Sequence, residues 1–406
     1  MHIDTMRHID RRVGVPLCFL LGIVYALGKV FSRRKKKQLD LSRTLFIELS
    51  EMGSALLVDP AMRYLRDEGG AALYFAIFRH NAESLDLLHT VPEDHRFLMR
   101  ADTFWQLTVD VLRFRRWCRK NKITTVIDLE LYSRFTALLS LISGAGVRVG
   151  FHAHHDEGFY RGNFINYPLR YNPHVHISVN FMSLAYKAMG AFPSPYPTCA
   201  IDRATLSLPL AAIDNSEREK VIATLGTLHP SWQKKRMIIF NINASDMLPQ
   251  RKWLPEYFVE VARSLLADVS DSIIVATGSS KENKDVQAFV DAVDSDRCLN
   301  TAGKFSLREL LALYCFADCF LTNDSGPAHF ASVTPLKTFV IFGPETPDLY
   351  LPLGNATAFY LGLACSPCVS AANHRKTDCT TRECITGITP DRVGNNILKY
   401  LETIKN

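Results

Sequence analysis

The sequence predicts an α/β protein built from two doubly wound domains. Apolar runs of strand length alternate with helix-spaced segments, which is the pattern of a parallel sheet. That alternation stops over residues 206–235, where the chain turns polar and mixed, and then restarts. A chain of 406 residues is also too long for one ordinary core and comfortable for two. Hydrophobic residues make up 47% and charged residues 22%, which excludes a disordered chain.

The first segment, residues 1–38, is expected to associate with a membrane. Residues 13–28 carry no charge, and they lie between Arg11 and Arg12 on one side and Lys29 on the other. A spanning helix needs about twenty apolar residues, and two positive flanks give no crossing direction. The chain continues into Arg33, Arg34, Lys35, Lys36 and Lys37, which opposes a cleaved signal peptide. A basic run beside an apolar segment suits an anionic membrane surface. A solvated linker or a nucleic-acid patch is the alternative, and the apolar neighbour decides against both. The segment reads as a helix or short hairpin dipping into one leaflet, with a single short span as the other option.

The first domain is placed at 40–205. TLFIELS (44–50) has strand length, Glu51, Met52 and Gly53 make a turn, and 55–65 has helical spacing. ALYFAIF (72–78) and TTVIDLELYS (124–133) are further strands, the latter followed by a helix over 134–142. The stretch 206–235 reads as a linker. The second domain, 236–406, repeats the alternation with strands in 236–245, 272–280, 319–326 and 338–344. Pro255 opens a helix to about 266, and Ser306 with Glu309 has capping-box spacing. Thr389 and Pro390 start a terminal helix. Ligands of such sheets bind in the loops after the strand ends.

The densest chemistry lies in residues 321–350. A strand ends at Asn323, then Asp324, Ser325 and Gly326 turn the chain, and a helix starts near Pro327. Backbone N–H groups at a helix start attract anions, and glycine permits close approach. The spacing alone fits a phosphate site and an ordinary strand–turn–helix connection equally well.

This stretch resembles the donor-binding signature of glycosyltransferase family 9, the bacterial heptosyltransferase family: a D-S/T-G turn, a His three residues on, and a later F-G-P. Here these are Asp324, Ser325, Gly326, His329, and Phe342, Gly343, Pro344. Residues 302–318 resemble the segment before that signature. RKWLPEYF (251–258) resembles its K-R-W-P-x-x-x-F element with one extra residue before the proline. Residues 47–66 resemble its first strand, turn and helix.

The resemblance implies the GT-B architecture, two Rossmann-like domains facing a cleft, and inversion at the sugar carbon without a catalytic metal. It implies a nucleotide-sugar donor (ADP-sugar foremost), a lipid-linked or membrane glycan acceptor such as a lipopolysaccharide precursor, and no nucleic acid. It places the protein on the cytoplasmic face of the bacterial inner membrane. Ser325, Gly326 and Pro327 would cradle the diphosphate, and His329 would brace that loop or reach the donor. Arg251 or Lys252 would neutralise the leaving group, and Glu282 would bond the ribose. Each has a plainer reading, as a helix residue, a solvated charged pair or a surface carboxylate.

One departure matters. The family carries an Asp directly after the first-loop Gly, as the base for the acceptor hydroxyl. Here Ser54 follows Gly53, and a serine cannot do that work alone. Glu51, in the same loop, is the replacement expected, with helix capping as its alternative. Gly53, Ser54 and Arg161 are assigned to the acceptor. The His-rich 151–162 segment is read as an acceptor loop, not a metal site. Cys365, Cys368, Cys379 and Cys384 have the spacing of a structural zinc or iron site or of four reduced thiols. The other six cysteines read as small buried hydrophobes. A non-catalytic nucleotide-sugar-binding or scaffold protein is the alternative to an enzyme.

Overall fold

A computed structural model describes residues 3–31, 39–152, 160–371, 373 and 375–404. The basic run at 33–37 and residues 153–159 of the His-rich segment lie outside the described residues. The chain divides into two units, Met1–Leu206 and Ser207–Asn406.

The first unit begins with α1 (Ile3–Ile9), a π turn (Asp10–Gly14) and α2 (Val15–Phe31). Then follow β1 (Arg43–Ile47), α3 (Met52–Leu57), α4 (Asp59–Asp67), β2 (Ala72–Phe78) and β3 (Arg96–Met99). The unit closes with α5 (Phe104–Lys120), β4 (Thr125–Asp128), α6 (Arg134–Ile142), β5 (Val147–Phe151), β6 (Tyr167–Leu169) and α7 (Ile177–Ala188). The sheet order is β3-β2-β1-β4-β5-β6, all parallel. Strands covered on both faces must be apolar on both faces, which is why 72–78 reads as a continuous apolar run rather than an alternation. Successive crossovers in one direction, right-handed by rule, put α5 and α6 on the same face of the sheet. There Phe114 and Cys118 of α5 and Leu139 of α6 share one core cluster with Leu45, Ile47 and Val126 of the strands.

The N-terminal helices are docked on that face. Residues Thr5–Gly28 are the one run, among the described residues, long and apolar enough to cross a membrane. Yet α2 packs Cys18, Leu21 and Tyr25 against Ala137, Leu138 and Leu141 of α6 and against Phe164. Asp10 accepts hydrogen bonds from the backbone N–H of Arg134 (3.3 Å) and Phe135 (2.8 Å), the first residues of α6, so it serves as that helix's N-terminal anion. Gly14 is needed for this approach: a Cβ there would stand 3.0 Å from the Cβ of Arg134. Arg148 donates to the Tyr25 hydroxyl and its guanidinium lies 5.4 Å from the Tyr25 ring centre.

The second unit starts earlier than the sequence placed it. Residues 207–235, read as a linker, belong to it, and they include α8 (Asn215–Leu228). Arg308 binds Glu217 of α8 at 2.7 Å, tying the helix to the body of the unit. Then come β7 (Arg236–Asn241), α9 (Pro255–Asp268), β8 (Ser272–Ala276), α10 (Asn283–Val293), β9 (Cys298–Asn300) and α11 (Leu307–Tyr314). The rest is β10 (Cys319–Asn323), α12 (Gly326–Ala331), β11 (Lys337–Ile341), α13 (Pro347–Tyr350), β12 (Ala356–Phe359), α14 (Glu383–Thr386) and α15 (Pro390–Thr403). The order β12-β11-β10-β7-β8-β9 is that of the first sheet, read from the other edge. The capping box at Ser306 and Glu309 is formed, with Ser306 N–H donating to Glu309 at 2.8 Å.

Candidate active site

In the second unit the loops that carry the candidate residues leave the carboxyl ends of β7, β8, β10 and β11. Asn323, the last residue of β10, is fully buried and joins two of them. Its side-chain oxygen accepts from Trp253 N–H at 2.8 Å, and its amide nitrogen donates to the carbonyls of Ile242 (2.9 Å) and Asn243 (3.4 Å). Trp253 in turn donates its indole N–H to Ile388 O at 2.9 Å. The loop after β7, the start of α9 and the loop after β10 are therefore one hydrogen-bonded piece.

Arg251, Lys252, Asp324, Ser325 and Gly326 sit on this piece. Asp324 is buried, and its carboxylate lies 3.7 Å from the Arg251 guanidinium. Ser325 is the N-cap of α12, its hydroxyl 3.4 Å from that of Thr322. A Cβ placed on Gly326 would meet only the Phe330 ring, at 3.4 and 3.6 Å, so no internal packing demands glycine there. Pro327 and His329 lie in α12, with His329 buried. Lys252 pairs with Asp246 at 2.9 Å, an exposed contact worth little to stability, so its ammonium is readily redirected to a ligand. Glu282 completes a capping box: its Oε2 takes both the N–H and the hydroxyl of Ser279 at 2.7 Å. Gly343 has a packing reason instead, because a Cβ there would come within 2.5 Å of Ile385.

In the first unit, Glu51 is the N-cap of α3, and the buried Ser54 donates its hydroxyl to Glu51 Oε2 at 3.1 Å. Serine thus stands beside the carboxylate and orients it. Two further carboxylates escaped the reading along the chain. Glu48 accepts from the N–H groups of Ser50 and Glu51, both at 3.3 Å. Glu130, from the end of the neighbouring β4, accepts from Leu49 N–H (3.1 Å), Ser50 N–H (3.2 Å) and Ser50 Oγ (2.9 Å). Together they shape the loop that presents Glu51. Burial pushes both carboxyls above the usual range. The charges of Glu130 and Glu51 add to the shift at Glu48, and that of Glu51 adds to the shift at Glu130. The only sequence signal for Glu130 was its place just past a strand end. Asp59 is buried and paired with Arg63 at 2.7 Å, away from this chemistry.

Arg161 corrects the sequence reading. It is fully buried, ion-paired with Asp128, and donates to Glu130 O (3.1 Å) and Phe151 O (2.9 Å). A guanidinium so committed braces the strand ends and does not meet an acceptor in solvent. The metal reading also fits poorly. The thiols of Cys365, Cys368 and Cys379 lie near enough that, after burial itself, they help raise the Cys384 thiol to about 11. Among the described residues, however, no three His, Cys, Asp or Glu side chains are gathered to hold a metal ion.

The family described as glycosyltransferase family 9 (heptosyltransferase) matches residues 111–377. The lipooligosaccharide heptosyltransferase 2 of Campylobacter jejuni is 28% identical over 155 residues, 37% of this chain and 47% of that protein. The lipopolysaccharide heptosyltransferase 2 of Salmonella typhimurium is 26% identical over 128 residues, 31% of this chain and 36% of that protein. The match thus spans about half the length of these curated relatives, or less. In fold, the chain is similar to the solved E. coli ADP-heptose lps heptosyltransferase II, with a TM-score of 0.68 at 19% identity, over 90% of this chain and all of that one.

Proposed function

The chain belongs to glycosyltransferase family 9, and on that footing we propose that it is an inverting transferase moving heptose or a related sugar from an ADP-sugar to a membrane-associated glycan. The acceptor class is a lipopolysaccharide-type core or another cell-surface precursor, handled at the cytoplasmic face of the bacterial inner membrane.

The observation that carries this reading is the donor loop. Ser325 and Gly326 open at the end of β10 with no packing demand on the glycine, and Arg251 and Lys252 stand on the loop hydrogen-bonded to the same Asn323. In the proposed reaction the acceptor hydroxyl attacks the anomeric carbon and gives its proton to Glu51, while the nucleoside diphosphate departs. Arg251 and Lys252 offset the charge growing on that leaving group, an effect strongest where water is excluded. Asp324 neutralises Arg251 before the donor arrives, so the guanidinium rests without a net buried charge. Ser54 and the Glu48 and Glu130 carboxylates hold Glu51 in place and are positioning residues. No step of this proposal is routed through a metal.

The missing first-loop Asp favours one competing reading, a nucleotide-sugar-binding scaffold without turnover. Purified protein incubated with ADP-heptose, a panel of other nucleotide sugars and membrane glycolipid extract separates the two. Release of nucleoside diphosphate with sugar incorporation supports the transferase. Binding by calorimetry without release supports the scaffold.

A further inference from the structure

Helix α5 has two unlike faces. Its inner face, with Phe114 and Cys118, is buried in the core of the first unit. Its outer face carries Phe104, Trp105, Val109 and Leu112, which are 57, 77, 47 and 65% exposed. Trp105, Val109 and Leu112 stand at i, i+4 and i+7 and so form one stripe along the helix. Arg116 continues the stripe, and Arg113, Arg115, Arg119 and Lys120, all exposed, surround it at the carboxyl end. The helix is therefore apolar outward in its first half and basic in its second, each half about 12 Å long. A contiguous exposed apolar patch of large residues marks an interaction surface. Tryptophan and aliphatic residues beside a cluster of arginines fit the boundary between headgroups and acyl chains of an anionic bilayer.

The position of α5 strengthens this. α5 and α6 line the same core cluster, and α2 is docked on α6. The outward residues of α2, among them Phe19, Leu20, Val24 and Leu27, are exposed by more than half. Two apolar stripes thus lie on the same side of the first unit. The geometry points to α5 as a second lipid-binding element: its aromatic and aliphatic half enters an anionic membrane surface, its arginines meet lipid phosphates, and it acts together with the outer face of α2. This rests on the membrane reading given above. It also makes α2 a helix lying along the bilayer surface, because its inner face is occupied by α6.

The test uses the full chain and sedimentation with vesicles of phosphatidylethanolamine and phosphatidylglycerol, compared with phosphatidylcholine alone. Three variants are needed: Trp105→Glu with Leu112→Glu, Leu20→Glu with Val24→Glu, and all four together. These side chains are 61–77% exposed, so folding, checked by circular dichroism and thermal midpoint, is expected to be unchanged. The α5 pair should weaken binding to anionic vesicles about tenfold or more, and the quadruple variant should abolish it. Wild-type protein that ignores anionic vesicles would sink both the membrane reading and the role of α5. Wild-type binding that responds to the α2 pair but not to the α5 pair would overturn the α5 inference alone. An α5 pair that alters oligomeric state by light scattering, with vesicle binding intact, would assign the face to a second copy of the chain.

Discussion

Asn323 is the residue whose removal should be felt most at the proposed donor site. It is buried, accepts from one backbone N–H and donates to two carbonyls. Asn323→Ala strips the Trp253 N–H of its acceptor and removes the amide that donates to Ile242 O. Leaving a buried polar group unsatisfied costs roughly 1–3 kcal/mol, so two such groups give about 2–5 kcal/mol after partial relaxation. For a unit of about 200 residues, 1 kcal/mol moves the thermal midpoint roughly 2–4 °C, which predicts a drop on the order of 5–15 °C. Asn323→Asp keeps the acceptor for Trp253 and loses the donor, and it places a charge beside two carbonyls, so it should destabilise at neutral pH and recover partly in acid. Both variants should lose donor affinity, because the loops they release carry Arg251 and Ser325. The assays are calorimetric unfolding and titration with ADP-heptose. An Asn323→Ala protein within about 1 °C of wild type, binding donor normally, would refute the argument that this side chain holds the site together.

Further outcomes follow from the same geometry. Glu51→Gln should cut turnover by about a hundred- to ten-thousand-fold with donor affinity nearly unchanged, since the residues proposed to bind the donor lie in the second unit; a change under threefold in a sugar-transfer assay would exclude Glu51 as base. Glu48→Gln tests the raised carboxyl. A folded-state value above the unfolded one stabilises at low pH and loses that contribution as pH rises, so the variant should gain on wild type in urea melts from about pH 4.5 upward, by about 1.4 kcal/mol per unit of displacement. Gly326→Val should abolish nucleotide binding while the thermal midpoint shifts little, and unchanged calorimetric affinity would remove the donor-loop assignment. Metal analysis of purified protein should find zinc and iron well below one per chain, and Cys365→Ser with Cys368→Ser should leave the thermal midpoint in place.

What the sequence disclosed was local. The strand at 319–323, the turn through Gly326 and the capping box at Ser306 are written within a few residues of one another, and all three are present. Pro255 opens its helix as its fixed φ suggests. The failures are non-local. Glu130 meets the first loop only because β4 pairs with β1, a neighbour relation no window of sequence contains. Arg161 looked like a surface cation, and its burial follows from Asp128, 33 positions away. Helix α5 is hard to see in the sequence because its outward apolar residues blur the amphipathic pattern.

The docking of α2 has a consequence in time. Asp10, in the turn just before it, meets Arg134, 124 residues further along the chain. At a synthesis rate of about 5–20 residues per second, the helix leaves the ribosome roughly 6–25 s before α6 exists to receive it. During that interval its apolar length has no protein surface to cover it. A lipid bilayer or a chaperone is the cover available to a nascent segment of this kind, so the polypeptide meets its first hydrophobic partner before the fold can supply one. On the membrane reading proposed above, α2 would reach α6 from the bilayer side, and the rest of the unit would assemble on a helix already in place.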